Sequence, residues 1–190
     1  MSTTTLIAII VAVVVVAAVA AVLWTMARRR HLQENFGPEY DRTVEAEGGR
    51  RAAERELRAR EERHDKLDIK ELSPEVRQQY AANWSSVQER FVDRPDGAVA
   101  EADQLVARLM RERGYPTEGY RQQLQDLSVE HGRTLEHYRA AHAVNVRSSS
   151  GEATTEELRG AMVHYRALFD ELLSSDGGRP QAGGPPAGTR

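Results

Sequence analysis

The 190-residue chain contains no cysteine. This absence excludes disulfide bonds, a thiolate nucleophile and zinc sites built from thiolates. Aromatic residues are also scarce, at 6% of the chain, so a hydrophobic core has to be built mainly from Leu, Val and Ala. No segment has the sustained alternation of apolar and polar residues that is typical of a strand. The sequence therefore predicts an all-α protein.

Excess positive charge is absent beyond the first 30 residues. The chain has 26 Lys and Arg against 29 Asp and Glu, and the first 30 residues hold three arginines and no acid. The remainder carries 23 basic against 29 acidic residues, a net charge of −6. Because binding to a phosphate backbone needs a basic face, we expect no nucleic-acid partner.

Charge, glycine and proline are all absent from Leu6–Met26, which reads LIAIIVAVVVVAAVAAVLWTM. About 20 apolar residues cross a bilayer as one helix, in which the backbone satisfies its own hydrogen bonds. We predict a single transmembrane helix here, with the lipid bilayer as its partner. The residues expected at the membrane interface are Trp24, Arg28, Arg29 and Arg30. This basic flank predicts that segment 1–5 lies outside and that residues 27–190 lie in the cytoplasm, beneath the inner membrane.

A cleaved signal peptide, with an extracytoplasmic or secreted domain, is the alternative interpretation. Ala18-Val19-Ala20 has the small residues of a cleavage site. A signal peptide, however, has a basic region before a shorter apolar region, whereas the arginines here follow the apolar stretch. A buried helix of a soluble protein is disfavoured as well, because the stretch has no polar face.

Beyond the membrane helix, the sequence predicts two further parts and a tail. Residues 27–66 form a juxtamembrane turn, marked by Gly37-Pro38, and a charged stalk helix that is polar on nearly all sides, as in a solvated spacer. Residues 67–173 form a compact bundle of about five helices. Residues 174–190 are dominated by Gly and Pro and are predicted to be a disordered tail.

Local signals divide the bundle into helices. Leu67–Leu72 is expected to be an extended link laid against the domain, and Gly114 predicts a helix end. Helix starts are expected at Ser73-Pro74, at an aspartate within Asp93–Gly97, at Ser128, and at Thr154, where Glu157 completes a capping box.

The tetrapeptide His-Tyr-Arg-Ala occurs twice, in the last two long helices. If these helices pack together, one groove is lined by His137, Tyr138, His164 and Tyr165. Such a groove is a candidate site for a metal ion or an acidic ligand. The alternative is coincidence, with both tyrosines as ordinary core residues. Because His-Glu-x-x-His, a Gly-rich phosphate loop and a Gly-x-Ser-x-Gly elbow are all absent, no catalytic residue, cofactor or metal ligand is assigned.

Several stretches share a pattern with a known group of proteins. These stretches are FGPEYDR (36–42), LDI (67–69), RFVD (90–93), AVAEAD (98–103) and RGYP (113–116). Together they resemble an uncharacterised family of small bacterial membrane-anchored proteins. The resemblance implies a bacterial single-pass protein with a helical soluble domain, and it carries over no activity and no functional residue.

Anchor, spacer and domain together suggest a function in recruitment. We expect a protein-interaction or scaffolding module at the cytoplasmic face of the membrane, with a protein as its partner, and not an enzyme. The alternative is an enzyme or a metal- or ligand-binding protein that uses the histidine-lined groove between the last two helices.

Overall fold

The computed structural model describes the backbone of residues 3–174 and the side chains of residues 10–174. This part of the chain contains eight α-helices and no strand, so the all-α prediction is confirmed. The helices are α1 (Thr3–Phe36), α2 (Pro38–Ala46), α3 (Arg50–His64), α4 (Pro74–Arg90), α5 (Pro95–Glu112), α6 (Tyr120–Glu130), α7 (Leu135–Ser149) and α8 (Thr155–Ser174). The predicted tail lies outside the described residues, except for Ser174, and so do the first two residues of segment 1–5.

The chain divides into two compact units after Ala59. In the first unit, α1 contains the stretch Ile10–Phe36, whose most apolar window has a mean hydropathy of 2.7 and no buried residue. This helix is long and apolar enough to cross a membrane. It continues beyond Met26 through the three arginines, because no breaker residue precedes Gly37.

Gly37 ends α1. Its φ of 51° lies in the left-handed region, which glycine adopts without the steric cost of a Cβ atom. Pro38 follows as the first residue of α2, a position where its missing N–H leaves no helical hydrogen bond unmade. The predicted turn at Gly37-Pro38 is therefore a one-residue break between two helices.

Helix α3 differs from the solvated spacer that the sequence predicts. Ala53 and Leu57 are fully buried, and Arg60 and His64 are each only 8% exposed. Successive members of this set are four, three and four residues apart, so they share one face of the helix and form one buried stripe. The stripe escapes detection in the sequence because half of it consists of charged or polar side chains, which are usually found at the surface.

The starts of α4 and α5 follow different rules. As predicted, Ser73 caps α4, and its hydroxyl oxygen accepts a 3.3 Å hydrogen bond from the backbone N–H of Val76. The expected aspartate cap of α5 is wrong. Arg94 holds the N-cap position without a side-chain hydrogen bond, and Asp96 lies inside the first turn. The Asp96 carboxylate instead accepts a 2.8 Å hydrogen bond from the Ser148 hydroxyl.

The link before α4 lies against the end of α5. Gly114 has a φ of 96°, and a Cβ atom built there would lie 2.3 Å from the carbonyl oxygen of Asp68. The backbone N–H of Lys70 also donates a 2.8 Å hydrogen bond to the carbonyl of Arg113. Leu67–Leu72 thus forms the extended link that the sequence predicts, and only glycine fits where it passes closest.

Of the two remaining predicted helix starts, the one at Ser128 is wrong and the one at Thr154 is confirmed. Ser128 does not start a helix, since it is buried within α6 and donates to the carbonyl of Gln125. Helix α7 instead begins at Leu135, after a turn. The capping box is confirmed, because the Glu157 carboxylate accepts from the Thr154 backbone N–H at 2.8 Å and the Glu157 N–H donates back to the Thr154 hydroxyl.

Helix α5 is at the centre of the second unit, where it packs against α4, α7 and α8. Its apolar face, which includes Val99, Leu105 and Leu109, is fully buried. Trp84 of α4 stacks on Phe169 of α8 with ring centroids 4.7 Å apart. Burial of each such apolar side chain stabilises the folded state by roughly 1.5–3 kcal/mol relative to leaving it exposed. Helices α4–α8 form the five-helix bundle that the sequence predicts.

Candidate functional site

The two His-Tyr-Arg-Ala copies lie on α7 and α8, which make the most extensive helix contact in the described part of the protein. The structure brings both histidines together. Nδ1 of His137 lies 2.9 Å from Nδ1 of His164, and the two rings are stacked with centroids 5.0 Å apart. His137 is exposed and His164 is partly exposed, so the pair is open to solvent.

The tyrosines of the same copies do not line a surface groove. Tyr138 and Tyr165 are buried, with ring centroids 6.1 Å apart in an edge-on arrangement. The Tyr138 hydroxyl donates to the side-chain oxygen of Gln123 at 3.3 Å, and the Tyr165 hydroxyl donates to Oδ1 of Asp103 at 2.7 Å. Both tyrosines are therefore core residues with polar tips, and the groove hypothesis reduces to its two histidines.

Asp103 of α5 joins this part of the core. Besides the bond from Tyr165, its Oδ1 lies 3.2 Å from Nδ1 of His142, whose ring stacks on Tyr120 at 4.0 Å. Burial, followed by the charge of Asp103, raises the pKa of Tyr165 far above that of a free phenol. The Tyr165 hydroxyl therefore remains a proton donor, and the network connects α5, α7 and α8.

A second polar cluster, which the sequence does not reveal, lies where the end of α6 meets α8. Nδ1 of His131 lies 2.7 Å from a Glu171 carboxylate oxygen, and the Thr134 hydroxyl donates to the other oxygen. On the opposite side of the ring, Nε2 lies 3.2 Å from the Tyr115 hydroxyl, which donates to Glu130 at 2.7 Å. We call these five residues the His131 cluster.

The His131 cluster is closed to solvent on its aromatic side. The His131 side chain is 2% exposed, and Tyr115 is equally buried. Burial, followed by the hydrogen bond to Glu130, raises the pKa of Tyr115. Burial also acts to raise the pKa of Glu171, but hydrogen bonds from His131 and Thr134 outweigh it and lower this pKa. The Glu130 and Glu171 carboxylates are each about one third exposed, so solvent reaches the cluster only from its acidic side.

The end of α3 belongs to the second unit and contacts the same region. A guanidinium nitrogen of Arg60 lies 3.5 Å from the Ser128 hydroxyl, and Nε2 of His64 lies 3.7 Å from a Glu130 carboxylate oxygen. The His64 ring is also 6.0 Å from that of Tyr115. His64 is therefore a buried packing residue.

The expected membrane-interface residues lie on the continuous helix α1. The guanidinium carbon of Arg28 lies 4.8 Å from the ring centre of Trp24, which is 62% exposed. Arg30 is exposed, whereas Arg29 is partly buried and hydrogen-bonds the Tyr40 hydroxyl. Three of the four predicted residues are thus exposed, and Arg29 is the exception.

Tyr40 connects the helices of the first unit. It is buried, and its hydroxyl donates to Glu54 of α3 at 3.0 Å. Burial, and then Glu54, raise the pKa of Tyr40. Arg29, Tyr40 and Glu54 therefore link α1, α2 and α3 through one phenol.

A shallow groove of about 260 Å³ lies between α4 and α8. Its apolar floor includes Phe91, Met162 and Val163, and Val163 is 65% exposed. Arg159 and Arg166 flank the floor, and each forms an exposed ion pair within α8, with Glu156 and Asp170. The remaining lining residue is Gln88. We call this feature the α4/α8 groove.

Among the side chains that the structure describes, no group of three or more His, Asp or Glu residues is arranged to hold a metal ion. Comparison of the chain with protein-family models, curated proteins and solved structures gave no match.

Proposed function

We propose that the protein is a single-pass, membrane-anchored interaction module of a bacterial cell, whose helical bundle recruits another protein at the cytoplasmic face of the inner membrane. The observation that carries this proposal is helix α1. Its most apolar window buries no residue, a condition that is stable in hydrocarbon and costly in water.

The positions of charge and indole around α1 support the proposed orientation. Residues 1–27 contain no Lys or Arg, whereas Arg28, Arg29 and Arg30 follow directly after the apolar stretch. Basic residues flanking a transmembrane helix stay on the cytoplasmic side. Arg28 and Trp24 form a cation–π pair of the kind expected at the headgroup level.

The α4/α8 groove supports recruitment of a protein. Its floor is apolar and partly exposed. Its two arginines form surface ion pairs. Each such pair contributes roughly 0–1 kcal/mol to the stability of the fold, so the arginines can exchange these carboxylates for those of a partner at little cost. A partner segment with apolar side chains flanked by carboxylates would complement both floor and rim. We propose such an acidic, amphipathic segment as the occupant.

Catalysis has less support. The histidine of the His131 cluster is buried, and the open His137/His164 pair has no neighbouring nucleophile among its described contacts. We therefore propose that the protein is not an enzyme.

Protease accessibility of a C-terminal tag in intact spheroplasts tests the orientation. Protection of the tag until the membrane is permeabilised is the expected result. Digestion in intact spheroplasts would contradict the cytoplasmic placement and would direct the search to envelope partners.

A photo-crosslinking amino acid in place of Val163 tests recruitment. We expect a crosslinked partner in cells, and we expect Arg159→Glu to abolish the crosslink by reversing the charge of the rim. The same photo-crosslinker at Val146, an exposed valine of α7, is the matched control. Equal products from both positions, or none from Val163, would contradict the proposed surface.

A further inference from the structure

The positions of His137 and His164 are fixed by the residues that follow them. Tyr138 and Tyr165 are buried against each other and hold α7 and α8 in register. Each histidine precedes its tyrosine, so both imidazoles project from neighbouring helices at the same level. The proximity of the two Nδ1 atoms is therefore built on a packed core and not on two independent surface side chains.

Metal ions bind the neutral form of imidazole, in which one ring nitrogen has a free lone pair. Two protonated rings at this distance would repel each other.

The distance between the nitrogens allows both to bind one ion. The observed Nδ1–Nδ1 distance is 2.9 Å, within hydrogen-bonding range. Two metal–nitrogen bonds of about 2.05 Å separate their nitrogens by about 2.9 Å when they meet at about 90° and by about 3.3 Å when they meet at a tetrahedral angle. Because the rings are inclined by only 25°, both have to turn about the Cβ–Cγ bond to direct their lone pairs at one ion. This soft torsion also moves the two nitrogens, so the distance does not select between the two angles.

We propose that His137 and His164 form a surface site for a divalent transition-metal ion, Cu²⁺ first, because nitrogen sites bind Cu²⁺ most tightly among the first-row divalent metals. The two Nδ1 atoms occupy adjacent positions, and water fills the others, since the described residues add no third ligand. This is an open site, and its metal is exchangeable. The inference goes beyond the proposed recruitment and does not depend on it.

Titration of the full chain in detergent micelles with Cu²⁺ tests the site, using a purification tag without histidine. We expect one ion to bind with an electron paramagnetic resonance spectrum that shows two equivalent imidazole nitrogens. His137→Ala and His164→Ala should each weaken this binding by at least roughly 10–100-fold, the loss that is typical when even a residue supporting a metal ligand is mutated. Ni²⁺ should bind more weakly than Cu²⁺ but more tightly than Zn²⁺.

The matched control is His31→Ala, which removes an exposed histidine elsewhere and should leave the site unchanged. Circular dichroism is the check that each variant keeps its helix content, which we expect because His137 is exposed, His164 is partly exposed and alanine is a good helix former. Cu²⁺ binding by the His137→Ala/His164→Ala double variant, at the affinity of the unsubstituted chain, would assign the ion to another group, such as the amino terminus. That result, or no binding at micromolar Cu²⁺, would overturn the proposal, and tighter binding of Zn²⁺ than of Cu²⁺ would overturn the preference for Cu²⁺.

Discussion

The Tyr165 hydroxyl donates a 2.7 Å hydrogen bond to Oδ1 of Asp103, so that α8 is tied to α5 through the core. A hydrogen bond to a charged acceptor contributes roughly 1.5–3 kcal/mol, about twice the value for neutral partners. Asp103 also lies within 3.2 Å of His142 on α7. One carboxylate thus connects the three helices that make the largest contacts of the bundle.

Tyr165→Phe removes the hydroxyl and keeps the ring. We expect the free energy of unfolding to fall by roughly 1.5–3 kcal/mol, because the partly buried carboxylate of Asp103 loses its shortest donor. Urea denaturation of the full chain in detergent micelles measures the change. Tyr138→Phe is the matched control, since its hydroxyl donates to a neutral amide at 3.3 Å and should cost only about 1 kcal/mol. Equal losses in the two variants would contradict the role of Asp103.

Gly114→Ala tests the close approach of the link to α5. A Cβ atom at this position would lie 2.3 Å from the Asp68 carbonyl oxygen, and the φ of 96° is strained for any residue with a side chain. We expect a loss of at least about 2 kcal/mol in the free energy of unfolding. The same denaturation measurement reports it.

Gly160→Ala is the control for that substitution. Gly160 lies inside α8, and an added Cβ atom meets nothing within 4 Å. Alanine is the better helix former, so we expect a gain of about 0.5–1 kcal/mol. A similar loss at both glycines would show that the approach of Asp68 is not the cause.

Local interactions explain which parts of the fold the sequence predicts. The Ser73 cap and the Thr154–Glu157 capping box form between residues three apart, and so the pattern of residue types identifies them. The prediction of an aspartate cap for α5 is wrong because Pro95 is the first residue of that helix, which places Arg94 at the N-cap position. The buried stripe of α3 is not predicted from the sequence because it includes Arg60 and His64, and these residue types are usually exposed.

The candidate sites show the same limit. The His137/His164 pair is predictable because two identical tetrapeptides fall on helices that pack together. The His131 cluster is not, since His131 and Glu171 are 40 residues apart and neither belongs to a motif. Their contact depends on how α6 and α8 meet, and no short pattern of residues encodes that relationship.

Glu171 contributes to the pH dependence of stability. Its pKa is lowered in the folded state, so the folded chain favours the carboxylate. The resulting stabilisation is complete above the unfolded pKa, near the ordinary value of 4.5, and is lost as the pH falls through the folded value. We expect the midpoint of thermal unfolding to decrease on acidification below about pH 4.5.

Glu171→Gln tests whether Glu171 causes the decrease in the unfolding midpoint at acidic pH. The amide keeps the shape but cannot ionise, so the acid-induced decrease should become smaller while stability near pH 7 also falls. Glu136→Gln, at an exposed carboxylate of α7, is the comparison and should leave the profile nearly unchanged. An identical profile for Glu171→Gln and the unsubstituted chain would show that other carboxylates govern the acid limb.

Two truncations separate the exposed apolar stretch of α1 from the folded part of the first unit. Leu32 and Phe36 belong to α1 but are buried, at 1% and 0% exposure, whereas the apolar stretch before them is exposed. A fragment of residues 27–190 removes only the apolar stretch, and we expect it to be soluble without detergent and folded. A fragment of residues 37–190 also removes both buried side chains, and we expect it to be less stable by at least about 3 kcal/mol in the first unit.

Hydrogen exchange of the backbone amides in α2 measures this difference, because it reports on the first unit independently of the bundle. Faster exchange around Tyr40 and Thr43 in the shorter fragment is the expected result. Phe36→Ala in the longer fragment is the single-residue version and should accelerate the same amides, since it leaves a cavity the size of an aromatic ring. Unchanged exchange in both cases would mean that α1 ends structurally with its apolar stretch, and the residues after Met26 would then serve only as a connection.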